Sequence, residues 1–563
     1  MPDTATLNLQ QARALINRLI GAGVRHAVIS PGSRSTPLVM ACEERPELRI
    51  WVQVDERCAA FFALGLARAS SMPAILVATS GSAPAHWYPA VIEAAQAHVP
   101  MILLSADRPP ELHHCGANQT TDQQGLFGPH LRAFYDAGPP TVDTARIAAL
   151  GSLAAERSLW PDPGPVQINL PFREPLVPDE PGPFIPSLST AAAPPPPGVE
   201  FTGEEAAEIV RALDGQRVAL VCGPNSFGQD FAEGITRLAQ ALETPILADP
   251  LSGLRFGGHD QRRVLCRYDA FLRDPAVRST PAEIILRFGA APVSRTLLEW
   301  LEKHPAEQWL VHPFPDRPDP LHRVTRVIRA HPVAFCRKLA AGRLGAAEPG
   351  WFDPLREWEA RAAEAAVLTT DERPFEGRLI EQLLEEAPPQ TILFSGNSMP
   401  VRQFDTWSGC LDKPLRLIAN RGVSGIDGNV STLLGLAAGS DRPAIGLIGD
   451  LAFYHDMNGL LAARQQMDAV LIVINNGGGG IFGYLPQAGL EGFEEHWLTP
   501  TGLELAHAAK LYGLPFHRIR HQAEFRLALR AALEEKGVSL LEVIIDRDYS
   551  IARHKQYWSK TAG

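Results

Sequence analysis

The chain is predicted to be an α/β protein built from three doubly wound parallel-sheet domains, and three observations carry that prediction. Short apolar runs alternate with stretches of helical spacing. Residues of turn and ligand-binding type follow several of these runs at their carboxyl ends. A proline-rich stretch and a charged stretch divide the chain into three parts, and 563 residues are too many for one core.

The first part, residues 1–183, places strands at Ala27-Val28-Ile29-Ser30, Leu48-Arg49-Ile50-Trp51-Val52, Ala74-Ile75-Leu76-Val77-Ala78 and Met101-Ile102-Leu103-Leu104-Ser105. Helices over 56–68 and 85–97 lie between them, so the sheet is covered on both faces. Residues 184–202 contain Pro194-Pro195-Pro196-Pro197, which suits neither a helix nor an interior strand and reads as a stiff linker. The middle part, 203–343, has strands at Val218-Ala219-Leu220-Val221 and Ile284-Ile285-Leu286-Arg287. Its Gly223-Pro224-Asn225-Ser226-Phe227-Gly228 lacks the Gly-x-Gly-x-x-Gly order and reads as a structural turn. Residues 344–374 form a charged connector, and 375–563 the last α/β unit.

Composition excludes several classes. The net charge of −11 and the absence of a basic run argue against nucleic-acid binding. No apolar stretch approaches the ~20 residues that span a bilayer, and Met1-Pro2-Asp3-Thr4 lacks a leader pattern. Seven cysteines without Cys-x-x-Cys spacing point to a reduced, cytoplasmic chain.

In the last unit, Gly449-Asp450-Leu451 ends the apolar run Ala444-Ile445-Gly446-Leu447-Ile448. After helical spacing through Phe453, Met457, Leu460, Leu461 and Arg464, a second run, 469–474, ends in Asn475-Asn476, 25 residues past the aspartate. An acid and an amide at neighbouring strand ends face one crevice. Carboxylate, carboxamide and carbonyl oxygens suit Mg²⁺, with phosphate oxygens completing its shell. The run Gly477-Gly478-Gly479-Gly480 lets backbone approach a diphosphate. Taken singly, Gly-Asp and Asn-Asn-Gly are also ordinary turns. Their spacing, the intervening helix and the glycine run point instead to a metal-clamped diphosphate.

This constellation resembles the motif of thiamin diphosphate enzymes. The resemblance implies metal ligation by Asp450, Asn476 and the carbonyl of Gly478, with Mg²⁺ (or Mn²⁺). It implies pyrimidine-binding, central and diphosphate-binding domains, and a homodimer or homotetramer with the cofactor held between subunits. The motif's usual third residue is glycine, where this chain has Leu451. The cofactor contacts implied are Gly449, Leu451, Gly479, Ile426, Ser398 and Phe482, with Ile481 as the apolar wedge that bends the cofactor; core packing is the plain alternative for that isoleucine. The activating carboxylate is assigned to Glu56, which opens a helix just after the second strand; Asp55 and Glu56 could equally serve only the helix dipole.

Arginines stand beside small residues at four strand ends: Ser33-Arg34, Asp107-Arg108, Ser398 with Arg402, and Asn420-Arg421-Gly422. In a net-acidic chain they describe a pocket for carboxylates, which arginine pairs bidentately. The runs 30–37 (Ser-Pro-Gly-Ser-Arg-Ser-Thr-Pro), 55–57, 106–112, 116–120 (Gly-Ala-Asn-Gln-Thr), 396–398 and 420–428 (Asn-Arg-Gly-Val-Ser-Gly-Ile-Asp-Gly) resemble the MenD-type 2-succinyl-5-enolpyruvyl-6-hydroxy-3-cyclohexene-1-carboxylate (SEPHCHC) synthases of menaquinone biosynthesis. The likeness runs from about residue 8 to beyond 545 and is weak in the middle. It implies decarboxylation of 2-oxoglutarate and 1,4-addition of the resulting succinyl carbanion to isochorismate. It also implies that Ser33, Arg34, Gln119, Ser398 and Arg402 act in catalysis beside Glu56, while Arg108, Arg295 and Arg421 bind substrate. Next to Arg295 some members carry a second basic residue, where this chain has Thr296.

Other readings remain open. His113-His114 is similar to the adjacent histidines of thiamin-dependent 2-oxo acid decarboxylases, so another decarboxylase or a carboligase such as acetolactate synthase competes. A catalytically silent scaffold is a second alternative. Thr79-Ser80-Gly81-Ser82-Ala83 misses the Gly-x-Ser-x-Gly of serine hydrolases. His113, His114 and Cys115, being consecutive, cannot easily close a tetrahedral metal site.

Overall fold

The computed structural model describes residues 3–180, 182, 201–278, 281–342, 344–345, 347–367 and 372–561. Three six-stranded, all-parallel sheets account for its strands. The first contains β1 (His26–Ile29), β2 (Arg49–Val52), β3 (Ala74–Ala78), β4 (Met101–Asp107), β5 (Ala133–Asp136) and β6 (Pro165–Pro171), in the order β2-β1-β3-β4-β6-β5. The middle sheet contains β7 (Val218–Cys222), β8 (Ile246–Ala248), β9 (Val264–Leu265), β10 (Ile284–Phe288), β11 (Glu307–Val311) and β12 (Val324–Ile328), in the order β12-β11-β10-β7-β8-β9. The last contains β13 (Ile392–Ser395), β14 (Arg416–Ile418), β15 (Ala444–Gly449), β16 (Ala469–Asn475), β17 (Phe516–Ile519) and β18 (Val538–Ile544), in the order β14-β13-β15-β16-β18-β17.

The first and last sheets share one topology, strand for strand. Each reverses direction of winding between its first and third strands, where crevices open at the carboxyl ends. In the last sheet that switch point lies between β13 and β15, so the loops after Ser395 and Gly449 border one crevice. The middle sheet has its switch between β7 and β10. There Gly223 packs against the carbonyl of Ala290, and Asn225 closes the loop by donating to the carbonyls of Gly223 and Ser252. Gly223–Gly228 is thus a packed turn, as its sequence implies.

Buried hydrophobic side chains of the first and last units form one continuous core. Its centre is the crossing of the helices Glu56–Ser70 and Asn429–Ala438. The two backbones touch where both helices carry glycine: a Cβ on Gly65 would overlap the Thr432 carbonyl, and one on Gly435 the Phe62 carbonyl. The middle unit joins the last through Arg255, fully buried, whose guanidinium pairs with Asp405 and donates to the carbonyl of Ala248. Tyr268 donates its hydroxyl to the same carboxylate at 2.8 Å.

Differences from the sequence reading have local causes. The helical spacing after Asp450 resolves into the short helix Asp450–Asp456 and a 3₁₀ stretch, Met457–Arg464. The break comes where buried Asp456 turns in to accept from the Ser431 amide and hydroxyl. The charged connector contains the helix Asp353–Ala365. The linker 184–202 lies outside the described residues except for 201 and 202, the latter capping the helix Gly203–Leu213. No helix among the described residues is long and apolar enough to cross a membrane.

If the glycine crossing holds the two units together, Gly435→Ala lowers stability by about 1–3 kcal/mol through overpacking. Urea unfolding followed by tryptophan fluorescence measures it, and an unchanged midpoint would place the helices apart.

Candidate active site

β15 delivers Gly449 and Asp450 to the crevice, and its register against β16 sets Gly449 opposite Ile474, one residue before Asn475. Asp450 is 8% exposed. One carboxylate oxygen accepts from the Gly478 amide at 2.7 Å and the other from the Leu451 amide at 2.9 Å. The acid and the glycine loop therefore face each other. Burial pushes the Asp450 carboxyl up to about 6, against the amides that draw it down.

Asn476 supplies the sharper observation. Its Oδ1 is buried and has no hydrogen-bond partner among the described residues, which costs free energy unless something else satisfies it. A hard divalent cation would do so, because it takes carboxylate, carboxamide and carbonyl oxygens together. Gly477 (φ +76°) and Gly478 (φ +128°) hold the loop in backbone conformations that only glycine adopts readily. The Gly478 carbonyl accepts from Gly480, and the Gly479 amide donates to Leu498, which fixes the turn before the half-buried Ile481 and Phe482. These residues fit a metal-held diphosphate.

Glu56 opens its helix, but Asp55 does the capping, accepting from the amides of Arg57 and Cys58 at 3.0 and 3.2 Å. Among the described residues the half-buried Glu56 carboxylate has no side-chain partner. Around it Arg57 donates to the His455 carbonyl, Cys58 to Asp456 and Asn458 to Asp55. The start of this helix thus meets the far end of the Asp450–Asp456 helix, about 10 Å of helix from Asp450. Sequence reasoning set Glu56 opposite a partner chain; within this chain the two units already meet.

The arginines gather in two pairs. Burial first, then the charge of Arg108, hold the Arg34 guanidinium below its ordinary value, partly offset by Glu174. Burial and the charge of Arg421 do the same to Arg402. Arg34 is anchored by the Phe172 carbonyl and Glu174, leaving its buried Nε without a partner. Arg108 reaches the Asn118 carbonyl at 3.3 Å. Arg402 folds back onto the carbonyl of Ser398, whose φ of +69° is rare for a residue with a Cβ and costs of order 1–3 kcal/mol. Arg421 donates to Asn397, whose amide nitrogen donates to the carbonyls of Asn420 and Gly425, beside half-buried Ile426. Ser33 is exposed beside Arg34, and exposed Gln119 is tied to Ser80 by reciprocal hydrogen bonds of 3.1 and 2.9 Å. Arg295 stands apart from this pattern: it is exposed and paired with Glu299 on its own helix, Arg295–Lys303.

Three stretches of the chain match thiamin enzyme domains. They are the thiamine pyrophosphate enzyme N-terminal TPP binding domain over 9–126, the middle domain of thiamine pyrophosphate enzymes over 213–395, and the C-terminal TPP binding domain over 403–543. Full-length relatives carry one name, 2-succinyl-5-enolpyruvyl-6-hydroxy-3-cyclohexene-1-carboxylate synthase. That of Dechloromonas aromatica (strain RCB) is 44% identical, covering 96% of this chain and 99% of its own. That of Geobacillus kaustophilus (strain HTA426) is 43% identical over 98% and 97%, and that of Myxococcus xanthus (strain DK1622) 39% over 100% and 98%. The chain belongs to the SEPHCHC synthase family. It is a thiamin diphosphate-dependent enzyme.

Within this synthase, sequence reasoning missed the groups that brace the arginines. Glu93, 1% exposed in the first unit, accepts from the Gly422 and Val423 amides and pairs with Arg68, so it sets the loop bearing Arg421. Asp249, fully buried in the middle unit, accepts from the Val293 amide at 2.7 Å, and its charge partly offsets the burial that lowers the Arg421 guanidinium. Ser294 donates to Asp269, whose charge bears on Arg402. Each is an acid beside unremarkable sequence, legible only once the units are docked. His113 Nε2 donates to the Arg108 carbonyl, 3.0 Å away, while His114 is exposed. They form no ligand cluster with Cys115 among the described residues.

A cation at Asp450 needs the carboxylate. Divalent-metal affinity for the synthase should be flat above pH 7 and fall about tenfold per pH unit below 6, because a proton must leave. Calorimetric Mg²⁺ titrations with thiamin diphosphate from pH 5 to 8 would read this, and a flat profile would remove Asp450 from the site. Without cation the sign is the opposite for stability: the contribution of protonated Asp450 is fully present below its ordinary value of 3.8 and is lost as pH rises through about 6.

Proposed function

We propose that this enzyme decarboxylates 2-oxoglutarate and adds the succinyl unit 1,4 to isochorismate, with Mg²⁺ (or Mn²⁺) clamping the cofactor through Asp450, Asn476 and the Gly478 carbonyl. The observation that carries it is the two arginine pairs: burial and then the charge of Arg108 lower the Arg34 guanidinium, and burial and then the charge of Arg421 lower that of Arg402. Like charges held together in part-buried positions are unfavourable until anions arrive. Two substrates with two carboxylates each supply those anions.

When bound, thiamin diphosphate supplies the carbon nucleophile and the electron sink. The chain's own residues do the rest. Glu56 holds a proton against N1′ of the aminopyrimidine, which makes the neighbouring amino group basic. The arginines orient carboxylates, with Ser33, Ser398 and Gln119 supplying neutral donors at their edge. Ile481 and Phe482 keep water from the ring, and Gly449, Leu451, Gly479 and Ile426 line the cofactor. Arg295 completes the substrate set if its pairing with Glu299 yields to a carboxylate. The same reading makes 1–183 the pyrimidine-binding, 203–343 the central and 375–563 the diphosphate-binding domain.

A homodimer or homotetramer, with sites completed between subunits, is supported by the exposed apolar side chains of Val52 (51%), Val54 (63%) and Tyr454 (52%) around the Glu56 junction. The absence of paired cysteines among the seven fits a cytoplasmic enzyme.

With 2-oxoglutarate, isochorismate, Mg²⁺ and cofactor, mass spectrometry should find the SEPHCHC adduct; succinic semialdehyde released without adduct would overturn the synthase reading in favour of a decarboxylase. Glu56→Gln should bind cofactor normally yet slow hydrogen–deuterium exchange at C2 by about 10²–10⁴-fold, and unchanged exchange would reject its role. Specific activity should fall as dilution dissociates the oligomer; constant activity in the monomer would show that each chain's own Glu56 serves its own site.

A further inference from the structure

We infer that a transition metal of the zinc class binds between the first and middle units, ligated by His98, His312 and Asp316. His98 lies in the turn between the helix Tyr88–Gln96 and β4, in a left-handed conformation (φ +53°) that aims it outward from its unit. His312 follows β11 directly, and Asp316 lies four residues on. His312 Nε2 stands 2.6 Å from one Asp316 oxygen and His98 Nε2 3.5 Å from the other. The three potential ligand atoms all lie within 4.8 Å of one another. Donors of a tetrahedral zinc stand about 3.4 Å apart, as bonds of 2.0–2.1 Å require. Side-chain adjustment alone therefore makes the site.

What surrounds the three resembles the support of a metal centre rather than a chance ion pair. The second nitrogen of His98, Nδ1, is 2.6 Å from Asp162, and Arg132 Nε holds the other oxygen of that carboxylate at 3.0 Å. A histidine ligand is commonly fixed in this way by a carboxylate on its far nitrogen. His312 is 5% exposed and its Nδ1 has no partner among the described residues, so the hydrogen bonding seen for its ring is directed at the cluster. Phe314 stacks on the His98 ring at 4.1 Å and meets His312 edge-on, giving an apolar wall. Arg329 holds the intervening loop by its Phe314 and Asp316 carbonyls. Asp316 is half-exposed, which leaves a coordination position for water. Two imidazoles select zinc, cobalt or nickel over magnesium. None of these residues belongs to the diphosphate site, and a metal here would fasten the first unit to the middle one.

The test uses the full-length chain, stripped with a chelator and titrated with Co²⁺ under excess Mg²⁺. Expected is one Co²⁺ per chain with visible ligand-field bands, displaced by Zn²⁺ but not by Mg²⁺. His98→Ala and His312→Ala should abolish the bands, Asp162→Ala should weaken binding about 10–100-fold, and Asp450→Ala should leave it intact. X-ray absorption of the zinc-loaded wild-type chain, which needs no variant to fold, should show two imidazoles with oxygen. No retained Co²⁺, bands that survive loss of both histidines, bands lost with Asp450, or a sulfur or all-oxygen shell would each overturn the assignment; the first is what a metal-free ion-pair cluster gives.

Discussion

The contact between the Asp450 carboxylate and the Gly478 amide sets the shape of the crevice at the ends of β15 and β16. It joins the ends of these neighbouring parallel strands, beside the switch point between β13 and β15. Burial alone would neutralise the acid, and the two amides only partly oppose that. The Asn476 oxygen beside it is left without a donor. An acid lifted toward neutrality and an amide oxygen without a donor among the described residues are both costs that a divalent cation would relieve at once. The left-handed glycines that shape the loop serve the same end, since a Cβ at Gly478 would overlap the Leu498 carbonyl.

The second constraint is the contact of the first unit with the last. Gly65 and Gly435 let two buried helices touch backbone to backbone, which fixes where Glu56 can stand. Asp55 supplies the cap and thereby frees Glu56 from local hydrogen bonding. A carboxylate without a local structural partner, anchored by neighbours on both sides to His455, Asp456 and Asn458, is positioned rather than merely placed.

The arginine pocket is held by acids from all three units. Glu93 comes from the first, Asp249 and Asp269 from the middle, and the Arg255–Asp405 pair binds the middle unit to the last. A cluster of positive charge is kept in shape by buried counter-charges that do not occupy its binding face. Removing one partner from such buried networks is expensive, which makes their geometry stiff. Stiffness matters where carboxylates must be held at a fixed angle to a reacting carbon.

The sequence by itself determined the α/β class and most of the strands bordering the crevice, and it singled out the glycine loop after β16 as a candidate. These are local: an apolar run, a turn and a glycine cluster are read within 30 residues, and the arginines were noticed beside small residues at strand ends and through the family resemblance. It did not reveal β6, whose Gln167 and Asn169 are fully or nearly buried and break the apolar run. Nor did it reveal the split after Asp456, which follows from a bond to Ser431 in a different helix. Glu93, Asp249 and the His98–His312–Asp316 group were equally silent, each an ordinary polar residue until another unit is brought against it. Tertiary structure alone decided those, because a side chain's burial and partners are properties of the surfaces that meet, and surfaces far apart in the chain leave no mark on each other's local sequence.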